Sequence, residues 1–123
     1  MRVLLSIKPK YAEKIFSGVK RYEFRKQAFK KTVDVVVLYA TKPVGKIVGE
    51  FRLKSILQGS PDEIWQKTAQ FSGISRDFFD RYYKNHKRAY ALEIEHPVQY
   101  KRPVKPLEFM ADFTAPQTYR YIP

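Results

Sequence analysis

The chain of 123 residues fits one domain, residues 1–123, built around a single hydrophobic core. Its net charge of +12 at pH 7 favours an anionic partner, and its lack of cysteine excludes disulfides, Cys-ligated zinc and a thiol nucleophile. No apolar run approaches the roughly 20 residues of a membrane span, and the first apolar stretch is too short for a secretion signal, so we expect a cytoplasmic protein without a membrane partner.

The positive charge is concentrated at the amino-terminal end. Residues 1–31 contain ten Lys and Arg against two acidic residues, a net charge of +8, whereas the other 92 residues have fourteen against ten, a net charge of +4. No strongly amphipathic basic helix is present that would lie on anionic lipid. The uneven distribution therefore indicates a basic face for RNA or another single-stranded nucleic acid.

The first third of the chain predicts a strand, a short helix and two more strands. Residues 3–7 form a compact β-prone run, Pro9 suits the first position of a helix, and Gly18 suits its left-handed cap. Residues 20–25 alternate, which places Glu23 and Arg25 on one strand face. Residues 33–40 are apolar on both faces and read as a central strand.

The rest of the chain predicts a long strand, two helices and a β-rich end. Residues 46–54 alternate around Gly49, which is typical of a bend in a small barrel. A capping box at residues 60–63 begins one helix, and Ser75 begins a second. Residues 88–95 form a further strand. From Pro97 onward we expect an edge strand, an extended segment and a closing strand at residues 119–121.

This order of elements has too few helices between strands for a doubly wound sheet. It predicts an α+β fold, a small β-barrel of five to six mostly antiparallel strands with flanking helices.

A family resemblance supports the same fold. Residues 4–9 (LLSIKP), the following helix and the pattern Gly18-x-Lys20-x-x-Glu23-x-Arg25 resemble the ASCH domain of the PUA-like superfamily, whose hallmark is G-x-K-x-x-E-x-R. The strand at 47–51, the mid-chain helices and the strand near 90–92 follow in that family's order, and residues 116–121 resemble the end of a bacterial and phage subgroup. The resemblance spans nearly the whole chain.

The resemblance implies a PUA-like barrel with a helix-lined cleft for RNA or for a nucleotide within nucleic acid. Some similar proteins are enzymes that cleave RNA or hydrolyse the amide of acetylated cytidine. In those amidohydrolases a Lys, a Thr and a downstream Glu do the chemistry. Lys20 matches that Lys, Glu23 stands where the Thr would be, and Asp77 lies in the region of the downstream carboxylate. The candidate catalytic residues are therefore Lys20, Glu23 and Asp77.

Two interpretations of the motif stay open from the residues alone. In one, Glu23 and Arg25 form a structural ion pair and Lys20 is solvated. In the other, Lys20 lies in a cleft, where it binds phosphate or, if desolvation lowers its pKa, acts as a general base.

Further candidate contacts surround this motif. Tyr39 either stacks on an unpaired base or packs in the core, and Thr41 could bond to a base edge. Basic side chains would contact phosphates without reading sequence. The candidate nucleic-acid contacts are Ser6, Lys8, Lys10, Lys20, Arg21, Arg25, Lys26, Tyr39, Thr41 and Lys42.

No metal or cofactor is predicted. His86 and His96 have no cysteine and no clustered carboxylates at ligand spacing, and no phosphate-binding loop or nucleophile elbow is present. His86 instead lies in the basic run 84–88, which predicts a second positive patch. The leading hypothesis is an RNA-binding module, the alternative is a metal-independent ribonuclease or amidohydrolase using Lys20, and a regulatory adaptor is a third possibility. The sequence leaves the oligomeric state open.

Overall fold

A computed structural model describes all 123 residues. No helix in it is both long and apolar enough to cross a membrane. In chain order the elements are β1 (Arg2–Ile7), α1 (Pro9–Ser17), β2 (Tyr22–Arg25), β3 (Val35–Ala40), β4 (Lys46–Gly59), α2 (Pro61–Thr68), a 3-10 turn (Ala69–Phe71), α3 (Arg76–Tyr82), β5 (Ala89–Val104), α4 (Pro106–Phe109) and β6 (Tyr119–Ile122).

The six strands form one curled half-barrel sheet in the order β2-β5-β4-β3-β1-β6. Every neighbouring pair is antiparallel except β1 and β3, which run parallel. A parallel pair needs a crossover connection, and α1 lies within the one between β1 and β3. The predicted α+β class, with six mostly antiparallel strands and flanking helices, is confirmed.

The helix ends follow the predicted chemistry. Pro9 occupies the first turn of α1, and Gly18 ends it with φ of 86° while its N–H donates to the Ile15 carbonyl. At the start of α2 the Ser60 hydroxyl accepts from the Glu63 N–H and the Glu63 carboxylate accepts from the Ser60 N–H, which are the two bonds of a capping box. Local sequence therefore sets where these helices begin and end.

Strand β5 joins two strands that were predicted separately. It continues from Ala89 to Val104 beside β4 and pairs with β2 only up to Glu93, so its second half is the edge strand predicted after Pro97. The register of β4 and β5 shifts close to Pro97, and His96 has a positive φ of 49°. A bulge of this kind accommodates a proline, which has no N–H to give to the ladder. The short helix α4 was also not predicted.

Three groups of apolar side chains fill the space around the sheet. Helix α1 covers one face, where Ile15 packs with residues of β1 and β3. Helices α2 and α3 cover β2 and β5 through Ile64 and Phe79. The segment after β5 covers the other face of β1 and β3 through Phe109 and Phe113.

Gly49 makes the close approach of α1 to β4 possible. A Cβ at this position would lie 2.5 Å from Phe16 Cζ and would also collide with the Val98 carbonyl oxygen. Gly49 therefore leaves room for the Phe16 ring on the sheet, and it also lies where the register of β4 shifts against both neighbouring strands.

Candidate nucleic-acid interface

A cavity of about 270 Å³ opens between the end of β1, the strand β2 and the segment that leads into α3. Its lining combines charged side chains with aromatic rings. The lining residues are Ser6, Ile7, Lys8, Tyr11, Lys20, Glu23, Phe24, Arg25, Ile74, Phe78 and Tyr82. Lys20, Glu23 and Arg25 of the predicted motif therefore lie in the wall of a cavity.

Lys20 is buried at the back of this cavity, with 1% of its side chain exposed. Its Nζ donates to the Ser72 carbonyl oxygen at 2.7 Å and lies 3.5 Å from Glu23 Oε1. The ring centroid of Phe24 is 4.8 Å from the same nitrogen. The interpretation that Lys20 is solvated is therefore wrong.

Burial changes the protonation chemistry of Lys20. Desolvation lowers the pKa of its ammonium group below the ordinary value of 10.5, and the nearby Glu23 carboxylate opposes that shift without cancelling it. Arg25 and Lys14 add smaller contributions in the lowering direction. The site thus holds a lysine whose proton is easier to remove than usual.

Three successive carbonyl groups anchor the motif to the chain ahead of α3. The Phe71 carbonyl accepts from the Arg21 backbone N–H at 2.8 Å, and the Ser72 carbonyl accepts from Lys20 Nζ. The Gly73 carbonyl accepts from Lys14 Nζ at 2.9 Å. These carbonyls follow the helical turns of residues 61–71, where unpaired acceptors and the negative end of the helix dipole favour cations.

Gly73 fits closely against the lysine stem. Its φ is +69°, and a Cβ added to it would lie 2.6 Å from the Cβ of Lys20. The motif lysine therefore has a structural role, because it joins α1 and β2 to the wall formed by residues 72–78.

Glu23 lies between two cations. Arg25 Nη2 donates to Glu23 Oε2 at 2.6 Å, which confirms the predicted pairing of these two residues on one strand face. The same nitrogen donates to the Ser6 carbonyl at 3.0 Å, so Arg25 links β2 to β1 where the sheet has no backbone pairing. Arg25 Nε is buried and has no hydrogen-bond partner.

Aromatic rings line the side of the cavity formed by α1 and α3. Phe78 and Tyr82 lie nearly parallel at 6.5 Å, and Tyr11 lies 5.9 Å from Phe78. The sequence analysis assigned no ligand contact to these rings. Phe79 and Tyr83, the next residues along the chain, are buried in the core, whereas Phe78 and Tyr82 are half-buried; this difference follows from how α3 docks on the sheet and is not marked in the sequence.

Some of the predicted nucleic-acid contacts line the cavity, and others lie outside its lining. Ser6 and Lys8 line it, although the Ser6 hydroxyl donates to the Pro116 carbonyl. Lys10, Arg21 and Lys26 are exposed and each lies against an aromatic ring, those of Tyr11, Phe71 and Tyr82, respectively.

The remaining predicted residues lie elsewhere. Tyr39 is 7% exposed and packs against Phe113 at 5.1 Å in the core on the other face of the sheet. Thr41 and Lys42 lie in the turn after β3 and do not line the cavity. Asp77 is exposed in the first turn of α3, also outside the cavity lining.

The sequence model of the ASCH domain family matches residues 5–101 of this chain, which is most of its length. The chain belongs to the ASCH domain family. The family hallmark is thus the same group of residues, Lys20, Glu23 and Arg25, that the fold brings together around the cavity.

The chain matches one relative over a third of that protein's length and another over most of it. The chain is 34% identical over 102 residues to the large ribosomal subunit protein uL22 of Ureaplasma parvum serovar 3, and this match covers 82% of the chain but 33% of that protein. It is 25% identical over 126 residues to an ASCH domain-containing ribonuclease of Zymomonas mobilis; this match covers 97% of the chain and 82% of the ribonuclease.

The crystal structure of the ASCH protein from Zymomonas mobilis has the same fold. It superposes with a TM-score of 0.91 at 25% identity, over 99% of this chain and 87% of that one. The similarity extends beyond the residues matched by the family model, so the carboxyl-terminal segment and β6 belong to the shared architecture.

Proposed function

We propose that this ASCH domain binds single-stranded RNA and that its cavity holds one unstacked base. The observation that carries the proposal is the combination, in one hollow, of aromatic walls with basic side chains at its opening. Single-stranded RNA is typically bound in this way, with bases on aromatic side chains and phosphates on Lys and Arg.

The inside of the cavity favours a base over a phosphate. Glu23 offsets the charges of Lys20 and Arg25 there, so the interior carries less positive charge than the surrounding surface. Tyr11, Phe78 and Tyr82 offer ring surface to a planar group.

The outside favours the phosphates of the strand. Lys8, Lys10 and Lys26 are exposed near the opening, and their contacts would release counterions from the RNA. With three to four phosphate contacts, affinity for single-stranded RNA should fall roughly 20- to 50-fold between about 50 and 200 mM salt.

Fluorescence anisotropy with a mixed pool of short RNAs measures this effect directly. A steep fall in RNA affinity with added salt supports the proposal. No binding at low salt, or an affinity that does not change across the salt series, would contradict it.

RNA cleavage is a second candidate function, favoured by the ribonuclease relative that this chain matches over 97% of its own length. A neutral Lys20 could accept the proton of a ribose 2′-hydroxyl as that oxygen attacks the adjacent phosphorus; the bond from phosphorus to the 5′-oxygen breaks, the 5′-oxygen takes a proton from water, and a 2′,3′-cyclic phosphate remains. Glu23, at 3.5 Å from Lys20 Nζ, is its partner in this candidate. Asp77 lies outside the cavity lining and would have to act from the surface.

Incubation of labelled RNA with purified protein in EDTA tests this candidate. The control is Lys20→Met, which keeps most of the apolar stem and removes the amine. Cleavage by the wild type that Lys20→Met lacks supports the role of Lys20. Equal cleavage by both proteins, or none by the wild type, contradicts Lys20-dependent RNA cleavage; acetylated cytidine, the substrate of the amidohydrolase alternative, is assayed in parallel.

A further inference from the structure

A second cavity of about 350 Å³ lies directly beside the first. The two cavities share Arg25 and Tyr82 in their walls. The other lining residues come from the end of β2, the turn after α3 and the start of β6: Lys26, Gln27, His86, Thr118 and Tyr119. The two hollows are therefore adjacent, as a ligand that occupies both would require.

The second cavity has the chemistry of an anion site. Lys26 brings a cation, Arg25 adds a guanidinium whose charge Glu23 offsets in part, and none of the seven lining residues is acidic. Gln27 and Thr118 add neutral side chains that donate hydrogen bonds. The first cavity differs, because Glu23 in its wall offsets the neighbouring cations.

His86 supplies a further polar group. Its Nδ1 lies 3.0 Å from the Lys84 carbonyl oxygen, which can only accept, so Nδ1 carries a proton and donates. The other ring nitrogen, Nε2, is then an acceptor in the neutral ring, which suits a sugar hydroxyl of a ligand and not a phosphate oxygen. The backbone N–H of His86 donates to the Tyr83 carbonyl at 2.9 Å, which holds this turn against α3.

Tertiary contacts preorganise the remaining walls. The Tyr83 hydroxyl donates to the Arg25 carbonyl at 2.8 Å, and the Thr118 carbonyl accepts from the Ser6 N–H at 3.2 Å. Lys26 Nζ lies 4.6 Å from the ring centroid of Tyr82. The cations are thus positioned by elements far apart in sequence.

We propose that this second cavity is a phosphate subsite, and that the two cavities together bind a nucleotide, with the base in the first and the phosphate in the second. The inference rests on the proposed function, because it assumes that the first cavity holds a base. The phosphate is either the monoester of a free nucleotide or the diester of an RNA strand.

Calorimetric titration compares the four nucleosides with their 3′- and 5′-monophosphates. For at least one base, a monophosphate should bind roughly tenfold or more tightly than the nucleoside, since charge-assisted bonds to phosphate are strong. Lys26→Gln should remove most of this advantage. Lys87→Gln, an exposed neighbour of His86 outside the cavity lining, removes the same charge and should change affinity less than about twofold.

RNA trinucleotides with one neutral methylphosphonate linkage distinguish the two sources of phosphate. Weaker binding of the substituted trinucleotide assigns the subsite to the diester of a strand, and unchanged binding assigns it to a free monoester. Equal binding of nucleosides and monophosphates, including no detectable binding of either, overturns the subsite, as does an equal effect of Lys26→Gln and Lys87→Gln.

The salt-dependent RNA assay separates this result from the proposed function. If RNA binds but monophosphates have no advantage, the subsite is wrong and the RNA-binding proposal stands. If monophosphates have the advantage but the RNA pool does not bind, the RNA proposal is wrong and the cavities form a site for a free nucleotide.

Discussion

The ends of the two parallel strands lie side by side but have different environments. Ser6 of β1 is in register with Tyr39 of β3, and the sequence analysis named both as nucleic-acid contacts. At the β1 end the chain turns into α1, and the cavity opens between that turn, β2 and α3. At the β3 end Phe113 packs on Tyr39 and closes the surface.

This difference teaches that the segment packed over a strand end decides whether the end can bind a ligand. Each end carries a polar or aromatic residue and, two or three positions later, a lysine: Ser6 and Lys8 at β1, and Tyr39 and Lys42 at β3. At β1, charged side chains from β2 border the hollow and bind one another and backbone carbonyls. At β3, the apolar segment after β5 provides the cover instead.

The largest effect in this comparison is expected from Lys20→Ala. Removing one partner of a buried ionic group leaves Glu23 with Arg25 alone and empties the space beside Ser72, so the free energy of unfolding should fall by about 3–5 kcal/mol. Urea unfolding followed by circular dichroism measures the loss. A loss below about 1 kcal/mol would show that Lys20 behaves like a surface lysine.

Gly73→Ala should have the next largest effect. The left-handed φ costs about 1 kcal/mol for alanine, and the collision with the Lys20 stem adds roughly 1–3 kcal/mol. Gly18→Ala is the matched control, because Gly18 also has a positive φ but its Cβ would meet no atom within 4 Å. Urea unfolding of both variants tests the difference, and equal destabilisation would rule out the contact with Lys20.

Tyr82→Leu tests the aromatic wall of the cavity. Loss of a stacking ring is worth about 1–3 kcal/mol per base, so RNA affinity should fall roughly 5- to 100-fold in anisotropy measurements. Tyr39→Leu removes a ring from the other strand end and should leave the affinity of the folded protein unchanged. If the Tyr39 variant instead loses affinity while remaining folded, RNA binds at the β3 end.

The smallest effect is expected in the pH dependence. Lys20 has a pKa below 10.5 in the folded protein, so between that pKa and 10.5 the unfolded chain binds more protons and stability rises with pH. The stability of wild type relative to Lys20→Met should therefore increase as pH approaches 10.5. Burial raises the pKa of Tyr83, which lowers stability above pH 10 in both proteins and cancels in the difference. Urea unfolding of both proteins across this pH range measures the difference in their stability. If the stability of wild type relative to Lys20→Met falls with pH, the folded state favours charged Lys20.

Much of the fold was predictable because local chemistry controls it. The capping box at Ser60, the cap at Gly18 and the start of α3 after Ser75 depend on neighbours within a few residues, and all are confirmed. The continuity of β5 through Pro97 was not predicted, because it depends on pairing with β4, where a bulge accommodates the proline.

The candidate site was predictable in part for a similar reason. Strand alternation alone places Glu23 beside Arg25. Tyr11, Phe78 and Tyr82 were missed as cavity residues because aromatic residues spaced along a helix predict a core face equally well. The difference between them and Phe79 is a difference in burial that arises only when α3 docks on the sheet.

The sequence by itself determined the element order, the family and the charged motif, since each is written in short patterns of residue type. Tertiary structure alone decided that Lys20 is buried, that the β3 end is covered and that two cavities share a wall. These outcomes depend on contacts between residues far apart in the sequence, such as Lys20 with Ser72 and Tyr39 with Phe113. Local patterns of residue type do not encode which residues such contacts bury, or which partner a buried polar group finds.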